Sequence, residues 1–293
     1  MAQICWRNEV SKRVWVQGPI AIDTVVYLEK FPTPGSFMNS VKTVERTGGT
    51  SANVALGLCT TNVETNFVGY LGNDDNGKKL RDVLNKSQIN SSIITEIDGP
   101  TSHALILVDD KAERTIISMT TPFLRELRMD NVPFKSSDIV AFILWREEFL
   151  RDLQRAEESG CFTVVGASAL ADTYLSHAHL VLGSVSDIPS SVNPKDHLDR
   201  FDAIVLTDGL KGAKYYSKEE ELHQTAFNVE AVDVTGAGDA FICGYLTGLA
   251  NELGAAECLL MASQWAASSV QVNSSIPPAF DLVRKEWGIE SAL

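Results

Sequence analysis

The sequence predicts an α/β protein: a three-layer α/β/α sandwich with a mostly parallel central sheet and a small β-sheet lid drawn from about residues 24–46 and 101–120. Three observations carry the prediction. From residue 138 onward, short apolar runs alternate with segments of helical length. Two β-like runs, 102–108 and 114–119, are joined by the polar turn 109–113 and stand outside that alternation. A Gly-rich turn, Gly236, Ala237 and Gly238, opens a long apolar segment. Alternating strands and helices give a parallel sheet covered on both faces, with ligands at the carboxyl ends of the strands.

The elements follow in order. Residues 13–23 read as one apolar strand that passes through Gly18 and delivers Asp23. Helices are expected over 52–60 and 78–87, separated by β-like residues 66–71. Residues 24–29 and 37–44 join the hairpin 102–119 in the lid sheet. Beyond it come strand 139–144, helix 148–159, strands 162–165, 180–182 and 203–206, and helices over 239–250 and 255–272. No repeat or linker interrupts the chain, so a single domain over 1–293 is expected.

Composition narrows the function. The 293 residues are 44% hydrophobic and 22% charged, ordinary for a globular chain, and carry a formal charge of −13. That field repels polyanions, and no Lys/Arg cluster overcomes it locally, so nucleic acid and anionic membrane are not expected partners. A protein of this sign binds a nucleotide with oriented backbone N–H groups and a metal ion, and such sites leave Gly-rich loops. Five cysteines at wide spacing (Cys5, Cys59, Cys161, Cys243, Cys258) suit a reducing compartment rather than a disulfide framework. The first ten residues lack the apolar core of a signal peptide, and the longest apolar run, 139–145, is far short of a membrane span, so a cytoplasmic location is expected.

The segment Asp233-Val-Thr-Gly-Ala-Gly-Asp239 holds the chemistry. Its glycine turn lets consecutive N–H groups converge at a helix start, where the dipole also favours an anion. Asp239, in the first helical turn, is placed to accept a hydroxyl proton. The plainer alternative is that Asp239 caps the helix.

The segment resembles the C-terminal signature D-T-x-G-A-G-D-x-F of the ribokinase-like, or PfkB, carbohydrate kinases, with Val234 in place of the usual Thr and Phe241 at its end. Further matches run in the family's order from about Val14 to about Pro278. Gly18 and Asp23 resemble its first strand and sugar-contacting Asp. Gly48, Gly49, Asn53 and Ala55 resemble its N-terminal signature. Residues 67–77 resemble its VGxxGxDxxG, Arg114 follows the lid hairpin, and Thr207, Gly209 and Gly212 resemble its TxGxxG loop. The resemblance implies ATP-dependent phosphorylation of a hydroxyl on a sugar-like substrate. Asp239 would be the catalytic base and the backbone of Gly236, Ala237 and Gly238 the anion hole. Asp23, Gly48, Gly49 and Asn53 would bind substrate, and Thr207, Gly209, Gly212 and Ser184 would line ATP. Asp187 would serve Mg2+, and Asp233 with Thr235 would hold a monovalent cation such as K+. Homodimers through the lid are also implied. A nucleoside kinase, or a family-like protein that binds ligand with little turnover, is the alternative.

Departures from the pattern stand at Ser51, at Asn62, at Gly166-Ala-Ser where relatives carry Asp and Asn, and at Ser184-Val-Ser-Asp187, which replaces an N-x-x-E. Residues 72–79 nearly spell a phosphate-binding G-x4-G-K-[S/T] loop, but Lys79 replaces the required hydroxyl and Asp74 and Asp75 would oppose phosphate. His177 and His179 lack a third ligand at zinc spacing. Residues 166–170 lack the second Gly of a nucleophile elbow. The acidic run 219–221 reads as a solvated turn.

Overall fold

Strand one of the sequence is two strands, and the break falls at Gly18. In this computed structural model, which describes residues 12–111, 113–120 and 127–289, Val14–Gln17 (β1) is fully buried in the central sheet. Gly18 then adopts φ 151, and a Cβ there would stand 2.1 Å from Ser51 Oγ. The chain turns, and Ala21–Tyr27 (β2) enters the lid sheet instead. Asp23 is therefore a lid residue and does not end the first strand of the main sheet, as the sequence suggested. Cys5 and the other first residues lie outside the described residues.

Lys42–Gly48 (β3) pairs antiparallel with β2. It begins later than the strand expected over 37–44, because residues 37–41 form no strand. Thr50–Leu58 (α1) leads to Thr65–Val68 (β4), Tyr70–Gly72 (β5), Asp75–Lys86 (α2) and Thr95–Ile97 (β6). Ser102–Val108 (β7) and Arg114–Thr120 (β8) form the expected hairpin, whose turn is held by Asp109 accepting the Lys111 and Glu113 N–H groups. Ile139–Phe142 (β9), Leu150–Glu158 (α3), Phe162–Val165 (β10), Ala178–Ser184 (β11) and Phe201–Thr207 (β12) continue the alternation. Ala213–Ser217 (β13) and Glu221–Gln224 (β14) follow, then Ala237–Ala250 (α4), Ala255–Val270 (α5) and Phe280–Trp287 (α6).

The central sheet has eight strands in the order β14-β13-β12-β11-β10-β9-β1-β4. All pairs from β4 to β12 are parallel, and β13 and β14 extend the edge antiparallel. That edge hairpin was not read from the sequence; of the acidic run 219–221, Glu219 and Glu220 lie in its turn, with Ser217 Oγ accepting their N–H groups, and Glu221 opens β14. Side chains alternate between two cores: Val14 and Val16 enter one, Trp15 the other. The first core packs α1, α2, α4, α5 and α6 on one face of the sheet, and α3 with Leu127, Met129 and Val132 covers the opposite face. The four-stranded lid sheet runs β3-β2-β7-β8 and stands apart.

Asp74, in the segment that mimics a phosphate loop, caps α2. It accepts the Gly77 N–H at 2.8 Å and also bonds the Thr101 N–H and hydroxyl, so this helix start is already satisfied by a carboxylate. His177 lies between Glu157 and Asp202, with Nδ1 2.7 Å and Nε2 3.7 Å from them, while His179 Nδ1 accepts the Thr163 N–H. The described cysteines Cys59, Cys161, Cys243 and Cys258 are free and buried. Among the described residues no helix is long and apolar enough to cross a membrane.

Candidate active site

Helices α1 and α4 pack closely because Gly57 faces Cys243: a Cβ at Gly57 would come 2.6 Å from Cys243 Sγ. The contact aligns their N-terminal ends. Asn53 and Asp239, 186 residues apart, meet there, with the Asn53 Nδ2–H donating to Asp239 Oδ2 at 2.8 Å. Asn53 is 4% exposed, and its Oδ1 has no partner, an acceptor available to a hydroxyl.

Asp239 keeps part of its surface exposed yet is densely surrounded by protein. Desolvation pushes its carboxyl up to about 7, against the Asn53 hydrogen bond and the charge of Arg114, and with the repulsion of Asp23. Asp23 is raised by burial to about 6, moderated by Arg46 and His103. Asp239 and Asp23, close enough to repel, are thus both raised toward neutrality by burial, and Arg46, Arg114 and His103 of the lid strands lie near them. His103 is further held by the Thr24 hydroxyl at 2.9 Å.

The turn before α4 leaves donors unspent. Gly236 is in the left-handed region at φ 82 and is the N-cap of α4, and a Cβ there would meet the Ser275 carbonyl at 2.5 Å, so only glycine fits. Among the described residues the N–H groups of Gly236, Gly238 and Asp239 make no hydrogen bond, and Ala237 N–H reaches Val234 O at 3.4 Å. A Cβ at Gly238 would meet nothing within 4 Å, so this position faces open space. Free N–H groups at a helix start next to an ionisable carboxylate form a place for an anion beside a proton acceptor.

The other expected residues fall into two groups. Gly48 lies beside Asp23: a Cβ there would sit 2.1 Å from the carboxylate, so the missing side chain is what lets Asp23 lie flat across β3. Gly49 is at φ 93, and a Cβ there would stand 2.6 Å from the Pro19 carbonyl oxygen. At the carboxyl ends of β11 and β12, Ser184 pairs with Thr207 in register, and Ser184 Oγ donates to Thr207 O at 3.4 Å. Gly209 and Gly212 bound the short turn that follows β12.

Asp187 accepts the Ser184 N–H through Oδ2 at 3.2 Å, leaving Oδ1 free on an exposed side chain. One carboxylate of this kind suits Mg2+, which keeps most of its waters. Asp233 does not suit a monovalent cation in the same way, since its Oδ1 accepts the Thr235 N–H at 2.8 Å and its Oδ2 faces Arg46 Nη1 at 3.4 Å. Arg46 and His103 were not singled out from the sequence. The available signal for Arg46 was its place two residues before Gly48, which puts both on one face of a strand.

Residues 11–281 match the model of the pfkB family of carbohydrate kinases. The ribokinase of Haemophilus influenzae is 27% identical over 294 residues, covering 92% of this chain and 96% of that one. The fructokinase of Klebsiella pneumoniae is 26% identical over 274 residues, covering 82% and 85%. Among solved structures, the ribokinase of Thermotoga maritima superposes with a TM-score of 0.79 at 23% identity, covering 94% of this chain and 98% of that one. The nucleoside kinase of Methanocaldococcus jannaschii gives 0.78 at 20%, covering 94% and 97%.

Proposed function

Since the chain belongs to the pfkB family of carbohydrate kinases, we propose that it transfers the γ-phosphoryl group of ATP to a hydroxyl of a small sugar, with Asp239 as the general base. The observation that carries the proposal is the contact of Asn53 with Asp239 at 2.8 Å beside the unbonded N–H groups of the 236–238 turn. Asn53 Oδ1 and the Asp23 carboxylate accept from substrate hydroxyls, which orients the sugar. The reacting hydroxyl gives its proton to Asp239 as its oxygen attacks phosphorus. The turn's N–H groups receive the charge on the equatorial phosphoryl oxygens, where alignment and charge stabilisation supply most of the catalysis. ATP lies along Ser184, Thr207, Gly209 and Gly212. Asp187 would hold Mg2+ through the ion's waters, and the bound ion would supply charge neutralisation to the phosphates.

The lid strands bring Asp23, Arg46 and Gly48 over the acceptor and exclude water on closure. Lid-to-lid homodimers are supported by apolar side chains exposed there, Phe37 at 91%, Val41 at 68% and Ile116 at 59%. A nucleoside acceptor is the second reading, favoured by the likeness to the archaeal nucleoside kinase over 94% of the chain. Acceptor-dependent ADP release across a panel of hexoses, pentoses and nucleosides with MgATP tests the proposal. Turnover on one class identifies the acceptor, and none on any acceptor contradicts it.

A further inference from the structure

The mismatch between Asp233 and a monovalent cation has a specific cause. Arg46 reaches from β3 of the lid to the loop before α4, and the Arg46–Asp233 pair is mostly enclosed, with side chains 14% and 17% exposed. The second carboxylate oxygen is spent on the Thr235 N–H, which shapes the turn leading to Gly236. The single negative charge of Asp233 is therefore matched by a positive charge belonging to the protein. A mobile cation at the same place would meet the guanidinium in partly desolvated surroundings and be repelled. Arg46 is also the cross-strand partner of Asp23, and its charge opposes the upward push of burial on that carboxyl. One guanidinium thus attends the carboxylate facing the acceptor and the carboxylate bracing the turn of free N–H groups.

We propose that Arg46 is a positioning residue that replaces a monovalent cation: it sets the turn before Gly236 when the lid is over the site, so phosphoryl transfer by this enzyme is indifferent to potassium. The inference rests on the kinase activity proposed above. Truncating Arg46 uncovers Asp233 next to a cavity of about 290 Å³ lined by β3 and by Asn273, Ser274 and Ser275. A potassium ion with some of its water fits that space, and Ser275 already presents its carbonyl toward Gly236.

The test compares initial rates in KCl, NaCl and tetramethylammonium chloride at equal ionic strength. The wild type is expected to vary by no more than about twofold, the size of a general screening effect. Arg46→Met is expected to lose about tenfold or more in tetramethylammonium, because an enclosed carboxylate is left unpaired, and to recover most of it in KCl. Arg46→Lys keeps the charge and the indifference. Melting temperatures without nucleotide or acceptor give a second readout: KCl raises that of Arg46→Met relative to tetramethylammonium and leaves the wild type unchanged. Strong activation of the wild type by potassium overturns the inference, and so does a slow Arg46→Met enzyme that potassium neither speeds nor stabilises. If no acceptor supports turnover, the kinase proposal fails, while the melting comparison still decides the role of Arg46.

Discussion

Replacing Asn53 by Ala takes away the N–H donor that lies 2.8 Å from Asp239 Oδ2 and leaves the other influences on that carboxyl in place. With the amide present, burial holds Asp239 at about 7, so about half is ionised at neutral pH. The bond stabilises only the carboxylate, so its loss moves the pKa further up. A hydrogen bond to a charged group contributes about 1.5–3 kcal/mol, which corresponds to about one to two pH units. The ionised fraction at pH 7 then falls to about 10% or about 1%. The assay is the pH dependence of kcat/KM, which reports the free enzyme. The wild type should show an acid limb near 7, with Asp23 at about 6 steepening its foot, and Asn53→Ala should shift the limb to about 8–9. Loss of a substrate contact lowers the whole curve without moving the limb, so the two effects separate. A limb that stays near 7 in the variant refutes the argument that Asp239 is the titrating base.

Three further outcomes follow from the same geometry. Gly48→Ala places a methyl 2.1 Å from the Asp23 carboxylate; displacement of Asp23 should raise the acceptor KM, and overpacking should cost about 1–3 kcal/mol of stability by denaturant unfolding. Gly238→Val should melt within a few degrees of wild type, since a Cβ there meets nothing within 4 Å, yet lose about tenfold or more in kcat by covering the N–H donors. Asp239→Asn should be more stable than wild type by a few kcal/mol at pH 8. Because the folded-state pKa is about 7 against an ordinary 3.8, the stability tied to the protonated acid is full below the unfolded value and is lost as pH rises through about 7. The advantage of Asn should therefore shrink at pH 5 and vanish near pH 4, as read from melts across pH.

The turn and helix of 233–250 were legible because their pattern is local: the glycines, Asp239 and the apolar run that follows specify a turn, a carboxylate in the first helical turn and a helix within one segment. The strands of the parallel sheet were legible for the same reason, being short apolar runs. The break at Gly18 was not, since only its approach to Ser51 Oγ shows why the chain must leave the sheet there. The β13–β14 hairpin was missed because Ala213–Ser217 and Glu221–Gln224 mix polar and apolar residues on an edge that needs no continuous apolar face. Asp23, Gly48, Asn53 and Asp239 were expected together through a family resemblance, and no local pattern alone would have joined residues 53 and 239. Arg46 escaped because its role depends on the β2–β3 register and on Asp233, 187 residues further along the chain.

In the proposed reaction the ionised carboxyl of Asp239 takes the acceptor's proton. With the acceptor identified, kcat and the acceptor's Kd are measured for Asp239→Asn, which keeps the shape of the side chain and removes its basicity. With Asp239 as the base, kcat should fall by ~10²-fold or more, the usual contribution of a general base, while Kd changes little. A kcat within a few-fold of wild type would contradict it.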